Sequence, residues 1–383
     1  MTNRRVSRRT GSRPLRTLSV ALAAAGAAIG LAAAPAGAAG GWEPVPDPDS
    51  SRWFDAFLPV GDAVFARGGF YPGGDPGSGE VASYWLREGT TWKELPRLAN
   101  QSLETNEDGI WTATSARDFW VIGSMAATPT IANHWNGSAW QDRSPADKTV
   151  MFRDIKAVSA NDVWAVGTTQ WTTTTQTQSA TIGRWNGSSW KITKLPQAEG
   201  GRTQLQAVQV NSASDVWAAG RTCPTQSTQN CRGYMTRWNG STWTEVPLPA
   251  GTGTVTELTA DASGKVWAAA GTSVLRWSGT GWDTSAAVKV TGANGVDELT
   301  WAGGKLYAGL SLNGNNTHSG IVRWNGTAWE NVARPIDDTS YYYVVRVTSL
   351  AGASDGSLWA SGLYSALWST PTFAARLPAG AMG

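Results

Sequence analysis

Trp185-Asn186-Gly187-Ser188-Ser189-Trp190 decides the fold, because the chain repeats it. The same form stands at Trp135-Asn136-Gly137-Ser138-Ala139-Trp140, at Trp238-Asn239-Gly240-Ser241-Thr242-Trp243 and at Trp324-Asn325-Gly326-Thr327-Ala328-Trp329. A signature that recurs every few dozen residues marks one supersecondary unit copied many times. Outward from the copy at 185, Thr181-Ile182-Gly183-Arg184-Trp185 and Trp190-Lys191-Ile192-Thr193-Lys194-Leu195 read as two strands, the second stopped by Pro196. Asn186-Gly187 between them predicts a type I′ hairpin, since both residues tolerate positive φ. Upstream, Asp154-Ile155-Lys156-Ala157-Val158 and Val163-Trp164-Ala165-Val166-Gly167 read as two more strands around the turn Ser159-Ala160-Asn161-Asp162. Four short strands in up-and-down order make one propeller blade.

Position counts the blades. A second-strand aromatic falls at Phe65, Trp120, Trp164, Trp217, Trp267, Tyr307 and Trp359. A third-strand tryptophan falls at Trp85, Trp135, Trp185, Trp238, Trp277, Trp324 and Trp368, and a fourth-strand aromatic at Trp92, Trp140, Trp190, Trp243, Trp282, Trp329 and Phe373. The expectation is an all-β, seven-bladed propeller of four-stranded antiparallel blades over residues 39–383, with Trp135, Trp185, Trp238 and Trp324 buried between blades. Gly41-Trp42-Glu43-Pro44-Val45-Pro46 also has the form of a fourth strand and competes with the Phe373 segment for closure of the last blade.

The second strand ending in glycine, the aromatic of strand three and the Trp opening strand four resemble the kelch repeat of galactose-oxidase-like propellers, shown best from Val163 to Trp190. The double glycine of that repeat is reduced to one, as at Gly167 and Gly220, and the turn between strands three and four is shorter. The Trp-Asn-Gly-Ser-x-Trp form is similar to that of secreted actinobacterial propellers. This resemblance implies a fold, since propellers carry many functions.

Residues 1–38 read as a secretory signal peptide, with arginines at 4, 5, 8, 9, 13 and 16, an apolar run from about Leu18 to Ala34, and Ala36-Gly37-Ala38 as a cleavage site. Ser7-Arg8-Arg9-Thr10 hints at twin-arginine export, but Gly11-Ser12 replaces the apolar pair such signals carry, which favours the general route. Without the six leader arginines the chain has 25 basic residues against 29 acidic ones, a balance of −4. A mildly acidic chain without basic runs is a poor partner for nucleic acid or an anionic membrane, and no later segment could span a bilayer. Cys223 and Cys231, the two cysteines, have no His, Asp or Glu between or beside them. In an oxidising compartment they are expected to pair as a disulfide. A secreted, extracellular monomer follows as the expectation.

Chemistry-bearing motifs are few. The two histidines, His134 and His318, cannot supply a copper-oxidase site or a His-based triad, and no glycine-rich phosphate cradle is present. Arg184, Arg237, Arg276 and Arg323 recur beside the same tryptophan, which points to packing and away from one convergent site. No cofactor or metal is expected. Ten residues before the second-strand aromatic stand Asp55, Asp154 and Glu257, joined by Glu298 after one deletion. At the radius of strand one these carboxylates could hold a cation or act as an acid/base pair. The loops between strands two and three and between blades vary, whereas the Asn-Gly turns do not. Tyr71, Trp171 and Tyr341, with Tyr342 and Tyr343, lie on the variable side. The reading is a binding module for a saccharide or glycan-bearing surface, with Tyr71, Trp171, Tyr341, Asp154 and Glu257 as ligand residues and no chemistry performed. A protein-interaction scaffold is one alternative. A polysaccharide hydrolase or lyase using the strand-one carboxylates is the other.

Overall fold

The computed structural model describes residues 41–49, 51–74, 81–99, 109–123, 130–170, 178–196, 201–224, 230–288, 292–312, 319–335, 343–365 and 372–381. Its strands form seven antiparallel blades. Blade 1 is Arg52–Val60, Ala63–Phe70, Val81–Glu88 and Thr91–Glu94. Blade 2 is Ile110–Ser115, Asp118–Gly123, Ile131–Trp135 and Trp140–Asp142. Blade 3 is Val150–Ser159, Asp162–Thr169, Ala180–Trp185 and Trp190–Lys194. Blade 4 is Arg202–Ser212, Asp215–Cys223, Arg232–Trp238 and Trp243–Glu245. Blade 5 is Glu257–Ala260, Val266–Ala270, Ser273–Trp277 and Trp282–Asp283. Blade 6 is Ala293–Ala302, Lys305–Leu312, Ile321–Trp324 and Trp329–Asn331. Blade 7 is Tyr343–Gly352, Leu358–Ser365, Thr372–Leu377 and, from the other end of the chain, Glu43–Pro44.

That last pairing settles closure. Glu43 and Pro44 lie opposite Arg376 and Ala375, and Phe373 lies opposite Gly362. The Phe373 strand is therefore third in its blade, not fourth, and the Trp42 segment is fourth. Leu377 takes the place expected for Trp368, which lies outside the described residues. Trp42 is 2 % exposed, and its Nε1–H donates to the Ala333 carbonyl of blade 6 at 2.8 Å. Trp140, Trp190 and Trp329 likewise donate to Pro96, Arg143 and Ala286 of the preceding blade. Blade 1 also departs from the expected register. Trp85 lies opposite Ala66, two residues from the repeat position, which Arg87 occupies opposite Val64.

The core is distributed over the seven blade interfaces, one apolar cluster to each. All seven second-strand aromatics are at most 3 % exposed. Each packs on the next blade: Trp120 meets Trp185 and Trp190, Trp217 meets Trp277 and Trp282, and Trp359 meets Phe57 across the ring closure. Flat rings at one repeated position fill the wedge between two twisted sheets. Of the third-strand tryptophans, Trp135 and Trp185 are buried, whereas Trp238 and Trp324 are half-buried. These rings stand at the last strand residue before the turn, where one edge reaches water.

The Asn-Gly turn is not type I′. Gly137, Gly187, Gly240 and Gly326 have φ of +92° to +105°, but the asparagines before them keep negative φ. The loop is four residues long, since Trp185 lies opposite Trp190. Asn186 instead accepts at Oδ1 the N–H groups of Ser188 and Ser189 and the Ser188 hydroxyl. The same set recurs at Asn136, Asn239 and Asn325. The asparagine side chain thus does the work that a second positive φ would have done. The glycine that ends strand two also has a cause. A Cβ on Gly167 would lie 1.9 Å from the Met151 carbonyl oxygen, beside the bulge at Arg153.

Candidate functional site: the axis and the loop face

The repeat consumes most of the charged side chains. Arg184 lies opposite Trp164, stacks over its ring at 4.6 Å, and is held by Asp162 at 2.8 and 3.0 Å. Arg237, Trp217 and Asp215 repeat this, as do Arg276, Trp267 and Asp283, and Arg376, Trp359 and Asp355. In blade 2, His134 takes the arginine's place, stacked on Trp120 at 4.4 Å with Nε2 2.7 Å from Asp118. Burial works against the Asp118 carboxylate, yet hydrogen bonds from His134, Thr114 and Trp120 hold it below the usual range. This clamp was legible only in part. The recurring arginine is visible in the sequence, but its acid is not: in blades 2 to 4 it stands two residues before the tryptophan, as Asp118, Asp162 and Asp215, at the turn before strand two, whereas Asp283 comes from strand four and Asp355 from four residues before Trp359.

The first strands ring the axis, each beside the first strand of the next blade. Apart from one bridge, Arg346 opposite Ser311, their inner edges have no ladder partner among the described residues, and side chains of the neighbouring blade bond several of their N–H groups. Asp154 accepts the N–H of Val208 at 2.7 Å, Ser349 that of Phe57, Thr112 that of Ala157 and Thr300 that of Gly352. Asp154, Glu257 and Glu298 occupy one level, two residues past the second-strand aromatic. Ile110, Ala207 and Ser349 complete that level with Ala56, not Asp55. A bulge displaces Asp55 by one residue and turns it to a two-bonded ion pair with Arg67 at 2.9 Å, so it does not join the cluster.

The three in-register carboxylates interact. Burial pushes Asp154 up to about 6 against the pull of two backbone N–H groups and Lys156. Burial, with Asp297 adding to it, raises Glu298 to about 8. Glu257 is raised well above the usual range by burial, then by Glu298 and Asp154. Arg346 is spent on Asp297 at 2.8 Å. Among the described residues no group of three His, Cys, Asp or Glu side chains is arranged to hold a metal ion. What the trio can do is keep, share or transfer protons near neutral pH.

The variable loops leave from the opposite ends of the strands to the Asn-Gly turns. On that face Tyr71 is half-buried against Trp53, with ring centres 5.2 Å apart. Next to this pair opens a pocket of ≈ 150 Å³ among Arg52, Phe70, Tyr84, Glu94 and Arg97. Arg52 lies over Phe70 at 5.2 Å and bonds Glu94 at 2.6 Å, and Arg97 lies 6.0 Å from the same ring. Of these pocket residues only Glu94 belongs to a repeated motif, in Trp92-Lys93-Glu94-Leu95-Pro96 and its copy Trp243-Thr244-Glu245-Val246-Pro247, and the others carry no signal in the sequence. Trp171, Tyr341 and Tyr342 lie outside the described residues. Cys223 and Cys231 are bonded, with S–S 2.08 Å, across the connection between strands two and three of blade 4. The disulfide fits an oxidising compartment. Residues 1–40 lie outside the described residues, and among the described residues no helix is long and apolar enough to cross a membrane.

No protein family and no curated protein matches the chain. Solved structures similar to it are β-propellers. A catalytically inactive virginiamycin B lyase from Staphylococcus aureus with quinupristin gives a TM-score of 0.57 at 14 % identity, over 88 % of this chain and 98 % of that one. YCF48 bound to the D1 peptide gives 0.53 at 13 % identity, over 88 % and 95 %. The β-propeller domain of the Trilobed protease from Pyrococcus furiosus gives 0.52 at 7 % identity, over 86 % and 96 %. At such identities the likeness defines the class, a β-propeller rich in tryptophan, and nothing finer.

Proposed function

We propose that this chain, after removal of residues 1–38, is a secreted monomeric binding module whose loop face recognises a saccharide or a glycan-bearing surface. The carrying observation is how the aromatic side chains are divided. Those at the second-strand repeat positions are spent in packing. The loop face, in contrast, sets Phe70 beside charged Arg52, Glu94 and Arg97 in a small pocket, with the Trp53–Tyr71 ring pair one residue along the same strands. Sugar rings offer apolar C–H faces to aromatic groups and hydroxyls to charged ones, and a pocket below the usual ~300–1,000 Å³ suits one ring better than a large ligand. Trp171, Tyr341, Asp154 and Glu257 remain part of the proposed ligand surface.

One observation favours a second reading. Asp154 and Glu298, held near 6 and 8, titrate where an acid/base pair works, which supports a hydrolase or lyase acting on polysaccharide. A protein-binding scaffold draws support from the peptide-bound propeller described above. A glycan array with the mature protein discriminates among the three. Saccharide binding that falls at least tenfold in Tyr71→Ala and Phe70→Ala, with an unchanged unfolding midpoint, supports the module. Polysaccharide turnover that is lost in Glu298→Gln or Asp154→Asn replaces it with an enzyme. Absence of any glycan ligand leaves the protein scaffold.

A further inference from the structure

One cation on the loop face departs from the charge pairing of the clamps. In blade 4, Arg221 at the end of strand two lies opposite Gln204, and Arg202 lies opposite Cys223 one step further toward the loops. Arg221 directs Nε and Nη2 at 3.0 and 2.9 Å onto the amide oxygen of Gln204, an uncharged group. Gln204 in turn donates through Nε2 to Oε1 of buried Gln178 at 2.6 Å, which ties the group to blade 3. No carboxylate among the described residues pairs with Arg221, whereas Arg67, Arg184, Arg237, Arg323, Arg346 and Arg376 each hold one. The connections 170–179 and 224–230 contain no acidic residue, and Glu199 lies outside the described residues. Arg221 is half-buried, so its charge is partly desolvated without an opposite charge in contact. Arg202 stands close enough for the two cations to repel.

A guanidinium fixed in this way needs an anion. With Nε and one Nη2 hydrogen on Gln204, the remaining Nη1–Nη2 edge of the fork matches two oxygens of a carboxylate or sulfate, and the amide network beside it can serve neighbouring hydroxyls. We propose that the Arg221–Gln204–Gln178 group is a subsite for the anionic group of an acidic saccharide carrying carboxylate or sulfate. The proposal rests on the loop-face saccharide reading and names the ligand class within it. Subsite and aromatic pocket then divide recognition between charge and ring stacking.

Calorimetric titration of the mature protein with alginate oligosaccharides, dextran sulfate and neutral dextran tests it. The expected result is binding to at least one anionic saccharide ten or more times tighter than to dextran, weakening as salt rises. The arm that binds says whether carboxylate or sulfate is the group. Arg221→Gln should abolish the preference, and Arg221→Lys should keep part of it. Should Arg221→Gln fail to fold, Gln204→Glu supplies an internal counter-charge of the same shape. It should leave the melt intact or raised and still remove the preference. An anionic preference that survives Gln204→Glu overturns the subsite, because a merely structural arginine would behave that way. No binding to either anionic saccharide also overturns it. The broader saccharide reading then stands or falls on the neutral members of the glycan array.

Discussion

The clamps and the axis use the same residue types to opposite ends. In the clamps of blades 3 to 5 the acid is matched to an arginine lying on a buried tryptophan. The matched acids sit low where a shift is resolved. Asp283 is lowered by the Ser285 N–H and hydroxyl and by Arg276, and Asp355 by Ser357 with Arg376 adding to it. At the axis Asp154, Glu257 and Glu298 face one another with little cationic help and are all raised. The clamp is a solution to stability copied with the repeat. The axial trio breaks the repeat and costs stability when ionised. Arg221 differs from the clamp arginines in the same sense, with opposite charge.

The largest expected effect lies in the clamp region. Trp185→Ala removes a ring that is 5 % exposed and packed on Trp120 and Trp190, at an expected cost of roughly 3–5 kcal/mol in urea unfolding. An unchanged midpoint would mean that the repeat aromatics do not carry the fold and would break the comparison at its first term. Trp42→Ala should cost a comparable ~3–4 kcal/mol. It should also expose blade 7 to proteolysis ahead of the other blades, since Trp42 anchors the N-terminal strand that pairs into that blade and closes the ring.

The axis is tested by pH. An acid whose folded pKa is raised stabilises the fold below its unfolded value, and that stability is lost as pH rises through the folded value. Asp154 at about 6 and Glu298 at about 8 therefore predict a melting temperature that falls from about pH 4 to about pH 8. The clamp acids Asp118, Asp283 and Asp355, lowered in the fold, withdraw their contribution only as pH drops through and below about 4. Glu298→Gln should reduce that fall in melting temperature by about 2–4 °C. A slope identical to that of the unaltered protein would show that Lys156 and Arg346 already neutralise the trio. The smallest effect belongs to Arg184→Gln, which keeps length but removes the ion pair and the charge over Trp164. About 0.5–1 kcal/mol is expected, since Arg184 remains partly exposed. A loss several times larger would place the clamp, not the ring packing, at the centre of blade stability.

Blade number, the buried second-strand aromatics and the disulfide were all readable from residue order, because each depends on local pattern and fixed spacing. Tertiary structure decided the rest, and the physical reason is that these features depend on strand register or on partners distant in sequence. Asp55 satisfies the same count as Asp154, yet a bulge moves it out of the axial level and into a pair with Arg67. Phe373 and Trp42 both look like fourth strands, and only pairing across some 330 residues assigns the place to Trp42. The Asn-Gly turns announced hairpins, but the side-chain oxygen of asparagine, not its backbone φ, sets their shape. Whether a charge is matched is likewise invisible in order alone. Arg184 recurs beside a repeat tryptophan and Arg221 does not, but only folding gives the first an aspartate and the second an amide.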